Sequence, residues 1–223
     1  MNNLTLIIPA KNEAESLPQV ISELDKFNLN LNVVLHETDT ETIKSIEKLN
    51  AKIVYQKNFG YGDALIEGIK NCDTKYFCIF NADGSFRPEE IDLMIKSLEQ
   101  NDLDFVFGSR YQSNSGSEDD TIVTLVGNYF FTFLGNLMFK LKITDILYTF
   151  VIGKTDLAKE LNLSQKDFTI CVELPIKAKK SDMKIGSFSC YERKRIAGKK
   201  KVNEIKDGFS ILYAIFKHLF YKN

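Results

Sequence analysis

The chain lacks a surplus of either charge. Its 223 residues carry 29 Lys and Arg against 30 Asp and Glu, a net charge of −1. A general nucleic-acid coat needs a basic excess, so this balance argues against that class. Cysteine and histidine are scarce. Cys72, Cys78, Cys171 and Cys190 show no C-x-x-C spacing, and there are only two histidines. A zinc site and a disulfide scaffold are therefore not indicated, and a reducing, cytoplasmic setting is expected. No secretory leader is read at the N-terminus, where the sequence runs directly into an apolar strand. No internal repeat or low-complexity tract is present. What remains is a chain 44% hydrophobic and 26% charged, long enough for a substantial core and expected to form one domain.

Two stretches depart from the even charge. Residues 177–206 are strongly basic, so an anion is expected near them. Residues 121–139 carry no charge over 19 positions, long enough to raise the question of a membrane span. Asn128, Thr132, Gly135 and Asn136 make a narrow polar stripe on this segment. Two asparagines in hydrocarbon are costly. The expectation is a helix that lies on a membrane surface or finishes the core.

Hydrophobic periodicity places strands at 4–9, 31–36, 51–56, 75–80 and 104–111. Helices are expected between them, with Leu17, Val20, Ile21 and Leu24 on one face of the first and Pro88 near the start of the fourth. Strict alternation predicts a doubly wound, mostly parallel α/β sheet with right-handed crossovers. Such sheets bind ligands at the carboxyl ends of their strands. The tips of interest are Pro9–Glu13, His36–Glu37, Asn81–Ser85 and Gly108–Tyr111. After a polar loop at 112–120 the pattern is mixed, and the chain closes on an amphipathic helix rich in Phe and Tyr. Two halves, about 1–111 with the ligand-binding strand tips and about 112–223 with the apolar helices, are expected within the one domain.

The run FNADGSF, residues 80–86, ends a buried strand on a carboxylate. A lone Asp there is most often a turn former. Asn81, Asp83 and Ser85 alternate, however, so three oxygens can converge, and Mg²⁺ commonly takes one or two carboxylates plus substrate phosphates. NFGYGDALIEG, residues 58–68, brings Gly60 and Gly62 before a helix, which allows either a tight turn or close approach to a ligand. ERKRIAGKKK, residues 192–201, places a glycine inside a basic run, consistent with a loop over an anion.

Taken in order, IPAKNEAESLP, NFGYGDALIEG, FNADGSFRPEEI, FGSRY and RIAGKKK resemble the family 2 glycosyltransferases of the GT-A fold. Among these the resemblance is strongest to the polyprenyl-phosphate sugar transferases, over about residues 4–216. It implies that Pro9, Ala10, Glu13 and Glu37 line the nucleoside pocket, with Gly60 and Gly62 beside it. It implies Mg²⁺ or Mn²⁺ on Asp83, helped by Asn81 and Ser85. Arg110 would meet the acceptor phosphate. Arg195, Gly198 and Lys201 would close on the donor diphosphate. The departures are His36-Glu37-Thr38-Asp39 at the second strand tip, Asn81 for the first metal Asp, Lys200 for the loop serine and Lys11 where an aromatic is frequent. They shift charge near the donor toward the positive, apart from Glu37.

The implied reaction is inverting transfer of a sugar from a nucleotide-diphosphate sugar to a polyprenyl phosphate or a cell-surface glycan precursor. A phosphate acceptor is already ionised at neutral pH and needs no base. A hydroxyl acceptor needs a carboxylate, for which Glu173 and Asp145 are candidates, Asp145 being better read as the partner of a Lys or Arg. The expected location is the cytoplasm, with peripheral contact on the inner face of a membrane. Two other readings compete. A nucleotidyltransferase would carry a Gly-rich basic loop after the first strand, where AKNEAESLP stands instead. A nucleotide-sugar-binding scaffold without turnover would account for Asn81 and His36.

Overall fold

The first strand shows why the sheet sits at the centre. In β1 (Leu4–Pro9) all but the last residue are buried, and alternate side chains enter different cores. Leu4, Leu6 and Ile8 join one hydrophobic cluster while Ile7 joins the other. The same alternation splits Val33 from Val34 and Cys78 from Phe77. A strand buried on both faces needs apolar residues at every position, the signature of a parallel sheet covered by helices. The structure, a computed structural model, describes residues 3–198 and 204–220.

The elements follow as α1 (Leu17–Leu24), β2 (Asn30–Leu35), α2 (Thr40–Ile46), β3 (Lys52–Tyr55), α3 (Tyr61–Lys70), β4 (Tyr76–Ile79), α4 (Glu89–Gln100) and β5 (Phe105–Ser109). Then come β6 (Gly116–Ser117), α5 (Ile122–Phe139), β7 (Val151–Lys154), α6 (Thr155–Glu160), α7 (Ile170–Lys180), β8 (Ile185–Ser189), β9 (Tyr191–Glu192) and α8 (Glu204–Phe220). Leu17, Val20, Ile21 and Leu24 of α1 are all buried, each contributing about 1.5–3 kcal/mol of transfer free energy. The main sheet has seven strands in the order β3-β2-β1-β4-β7-β5-β8. The chain winds outward from β1 through β2 and β3, then reverses to β4 on the other side, so a topological switch lies between β1 and β4.

The mostly parallel sheet expected from the alternation is present, with one antiparallel strand: β7 inserts between β4 and β5 and runs antiparallel to both. The insertion depends on Gly153. A Cβ there would lie 2.3 Å from Cδ1 of Phe105 and 2.9 Å from Cε1 of Phe77. Four residues containing a glycine give a weak strand signal. β8 and the small β6–β9 ribbon come from the same region, and β8 extends the sheet parallel to β5.

Helix α5 has inverted polarity. Its buried residues are Asn128, Thr132 and Gly135, whereas Ile122, Val126, Phe133 and Leu137 are more than half exposed. Each inward polar side chain makes a hydrogen bond. Asn128 Nδ2 donates to Tyr111 Oη at 2.6 Å, and Thr132 Oγ1 accepts the Ile146 N–H. Asn136 both donates to the Ile143 carbonyl and accepts its N–H. Thr121 and Thr124 close a reciprocal cap at the helix start. α8 packs beside α5 and turns Phe209, Tyr213 and Phe220 outward.

Candidate active site

The carboxyl ends of β1, β2, β4 and β5 and the start of β7 open onto a cavity of about 590 Å³. Pro9, Ala10, Lys11 and Glu13 line it from the β1 tip; His36, Thr38 and Asp39 from β2; Asn81 and Asp83 from β4; and Arg110 from β5. Gly60, Asp119, Asp120, Tyr148, Glu192, Arg195 and Asp207 also face it. Three of the four strand tips singled out by the sequence thus contribute directly, and the Gly108–Tyr111 tip contributes through Arg110.

Asp83 sits at the switch point. Its Oδ1 accepts the Ser85 N–H at 3.0 Å, which fixes the carboxylate, and its Oδ2 lies 3.7 Å from Nη1 of Arg195. The basic loop is bonded to this tip: the Ile196 N–H donates to the Asp83 carbonyl and the Arg193 N–H to the Ser85 carbonyl, both at 2.8 Å. Gly84 permits the docking. Its φ is +81°, and a Cβ would collide with Ile196 Cδ1 at 2.4 Å. From there the loop passes Arg195 to Gly198, where a Cβ would stand 3.9 Å from Glu13 Oε2, so it spans the cavity from Asp83 to Glu13. Lys200 and Lys201, expected to serve the same loop, lie outside the described residues.

The donor set fits a hard divalent cation held jointly with a ligand. No group of three or more His, Cys, Asp or Glu able to hold a metal occurs among the described residues. Asp83 offers one carboxylate, and Asn81 lines the cavity with its amide nitrogen committed to Ser85 Oγ at 3.3 Å. Further oxygens would have to come from a phosphate and water. Ser85 is corrected as a ligand: it is 1% exposed, does not line the cavity, and supports Asp83 through its backbone N–H.

Arg110 is also corrected. It was expected to meet an acceptor phosphate, but its fork is spent on protein. Nε and Nη2 donate to the two oxygens of Asp145 at 2.8 and 3.1 Å, and Nη1 to Asp120 and Glu192 at 3.3 and 3.2 Å. Burial opposes the charge of Arg110, but the facing Asp145 carboxylate outweighs it and holds the guanidinium well above its usual range. Burial pushes the Glu192 carboxyl up, with Arg110 and the Ser117 hydroxyl opposing. Arg110 therefore fastens β5 to the 117–120 strap and to β9. Its guanidinium also lies 4.7 Å from the centre of the Tyr148 ring.

The structure departs from three further expectations. Glu173 is fully buried and does not line the cavity. It accepts the backbone N–H groups of Ser164 and Gln165 and the Ser164 hydroxyl, and pairs with Lys177 at 3.0 Å. Burial works to raise its pKa, but those hydrogen bonds prevail and lower it, so it staples the 164–165 loop and does not serve as a base. Glu37 is exposed and outside the lining. The close approach at Gly60 and Gly62 is to protein: a Cβ on Gly60 would lie 2.0 Å from the Lys166 carbonyl oxygen, and on Gly62 2.1 Å from that of Gln165. Only Gly60 of the pair also reaches the cavity.

The sequence reading passed over Asp119 and Asp120. The strap that carries them pairs β6 with β9, and Asp119 forms an ion pair with Arg195. Tyr111 Oη donates to Asp120 at 2.6 Å. Two adjacent acids closing a loop just before an uncharged helix were the available signal. With them, Glu13, Asp39, Asp83, Glu192 and Asp207, carboxylates outnumber Lys11, Arg110 and Arg195 along the described wall.

The family model "Glycosyl transferase family 2" matches residues 5–161, which include every strand tip above. A UDP-N-acetylglucosamine–dolichyl-phosphate N-acetylglucosaminyltransferase of Methanococcus voltae is 26% identical, covering 81% of this chain and 82% of that protein. A dolichol-phosphate mannosyltransferase of Pyrococcus furiosus is also 26% identical, over 96% of this chain but 64% of its own length. The fold matches a solved glucosyl-3-phosphoglycerate synthase of Mycobacterium tuberculosis, crystallised with Mn²⁺, UDP and glucosyl-3-phosphoglycerate. The TM-score is 0.77 at 12% identity, over 100% of this chain and 81% of that one.

Proposed function

We propose a donor, a metal and an acceptor on one premise: the chain belongs to glycosyl transferase family 2 and is a glycosyltransferase of the GT-A fold. The donor is a nucleotide-diphosphate sugar. Its nucleoside lies over the β1 and β2 tips, among Pro9, Ala10, Glu13 and His36, and its diphosphate lies at the β4 tip beside Asp83 and Arg195. Asp83 and the diphosphate together hold Mg²⁺ or Mn²⁺. The bound ion supplies positive charge for the departing diphosphate. That charge is needed because the cavity wall is rich in carboxylates and would otherwise repel the ligand. The relative of the same fold was crystallised with Mn²⁺ and UDP, which supports this reading.

The reaction is inverting displacement at the anomeric carbon. Arg195 gives its guanidinium to the leaving diphosphate, exchanging Asp119 for the new anion. Asp83 stays fixed by the Ser85 N–H. The acceptor is a polyprenyl phosphate at a membrane surface, and its ionised phosphate needs no base. Residues up to about 111 chiefly hold the donor and those from about 112 the acceptor and membrane, with 193–198 returning to the donor end.

The observation that carries the lipid acceptor is the outward apolar face of α5 and α8. α5 begins at Ile122, two residues past Asp120, and Asp207 of α8 lines the same cavity, so the apolar face adjoins its mouth. α5 is long and apolar enough to cross a bilayer, but its polar stripe is bonded into the domain, so it lies along the surface. The dolichyl-phosphate transferases among its relatives support the same acceptor. The test is thermal unfolding with UDP, GDP, CDP or dTDP, each with and without Mn²⁺ or Mg²⁺. Ligand that binds the native state raises the midpoint by mass action. A rise for one nucleotide that grows with metal is expected. No rise with any nucleotide at millimolar concentration contradicts the donor site.

A further inference from the structure

We propose that His36 reads the donor nucleobase and selects one bearing a carbonyl, not an amino group, on the edge remote from the ribose. This rests on the donor reading above. His36 follows the last residue of β2 and lines the cavity. The Thr38 N–H, which can only donate, points to His36 Nδ1 at 3.3 Å, and Thr38 Oγ1 lies 2.8 Å from the same nitrogen. An imidazole nitrogen that accepts carries no proton, so in the neutral ring the hydrogen sits on Nε2. Among the described residues Nε2 has no hydrogen-bond partner, so it remains a donor at the cavity wall.

A flip would forfeit both contacts of Nδ1 to Thr38, so these fix the ring. Phe59 stacks on it with centroids 4.0 Å apart and planes at 21°. Phe59 is itself two-thirds exposed and lines the cavity, giving a flat apolar surface at this end. The carboxylate of this tip that lines the cavity, Asp39, does not compete. Asp39 accepts the Asn12 N–H through one oxygen at 2.7 Å and the Thr42 N–H through the other at 3.3 Å, which commits it to the α2 cap.

Strand order fixes which part of the nucleotide arrives here. The tips lie in the sequence β2, β1, β4, so His36 is two strand spacings, about 10 Å, from the Asp83 tip. With the diphosphate at Asp83 and the ribose over β1, the far edge of the base reaches β2. That edge carries a carbonyl in uracil, thymine and guanine and an amino group in cytosine and adenine. A fixed N–H donor pairs with the first set. Against the second set it faces another donor and both lose their hydrogen bonds.

Isothermal titration of the full chain with Mn²⁺ tests this through the pairs UDP–CDP and GDP–ADP, each of which holds ring size constant. In the pair that binds, the carbonyl member is expected to bind about tenfold tighter or more. In His36→Ala the gap should fall to within about twofold, and in His36→Gln, which restores an amide donor, part of it should return. CDP or ADP binding as tightly as its carbonyl partner overturns the inference and leaves the donor site standing. So does discrimination that persists unchanged in His36→Ala. If no nucleoside diphosphate binds, the donor reading itself fails and the inference falls with it.

Discussion

Arg110 and Asp145 form a buried, bidentate pair on which the strap and β9 converge. Removing one partner of such a pair leaves an uncompensated charge, at a cost of about 3–5 kcal/mol. Asp145→Ala should therefore lower the unfolding midpoint by on the order of 10 °C in differential scanning calorimetry. Asp83→Ala should behave oppositely. It removes a partly exposed carboxylate at a loop tip, so the midpoint should move little while sugar transfer falls by about 100-fold or more. Glu173 gives a pH signature. Its folded pKa lies below its unfolded value, so its stabilisation is full above the ordinary Glu range and fades as pH falls through the folded value. Glu173→Gln should cost about 1–3 kcal/mol at pH 7 by urea unfolding, and the difference should shrink in acid. Asp83 was legible in the sequence because strand, carboxylate and glycine are adjacent. The roles of Arg110 and Glu173 were not, because their partners lie at separations of 35 and up to 82 residues and of 8 or 9 residues across a loop.

At the scale of elements, the first five strands and four helices were legible because their periodicity is regular and their cores alternate. β7 was hidden by its brevity and its glycine. α5 was legible as a helix but not in orientation. Periodicity reports two faces and leaves open which one meets the protein, and here the polar one does. This makes the two faces separable by mutation. Val126→Lys with Phe133→Glu alters exposed positions and should leave the midpoint within about 1 °C, yet abolish sedimentation with liposomes of anionic phospholipid. Thr132→Val, on the inner face, removes the acceptor for the Ile146 N–H and should cost about 1–3 kcal/mol without changing liposome binding. Gly62 belongs to this scale as well. Gly62→Ala sets a methyl group against the Gln165 carbonyl and should destabilise by about 1–3 kcal/mol, read by urea unfolding.

For the whole molecule, the carboxyl end of the sheet carries the cavity and a pair of helices beside it carries the apolar surface. The 193–196 loop, the strap and α8 all meet at the same cavity mouth, so the donor, lipid acceptor and membrane surface proposed above would share one place. The near-neutral net charge hides this, since the acids concentrate on the cavity wall and the apolar residues on α5 and α8. The direct test is transfer of radiolabelled sugar from a panel of UDP- and GDP-sugars, with Mn²⁺, to polyprenyl phosphate in liposomes, scored as label extracted into organic solvent. Label from one sugar nucleotide should enter the lipid phase with the wild-type chain and not with Asp83→Ala. Folded, nucleotide-binding protein that moves no label to polyprenyl phosphate from any donor would contradict the lipid acceptor.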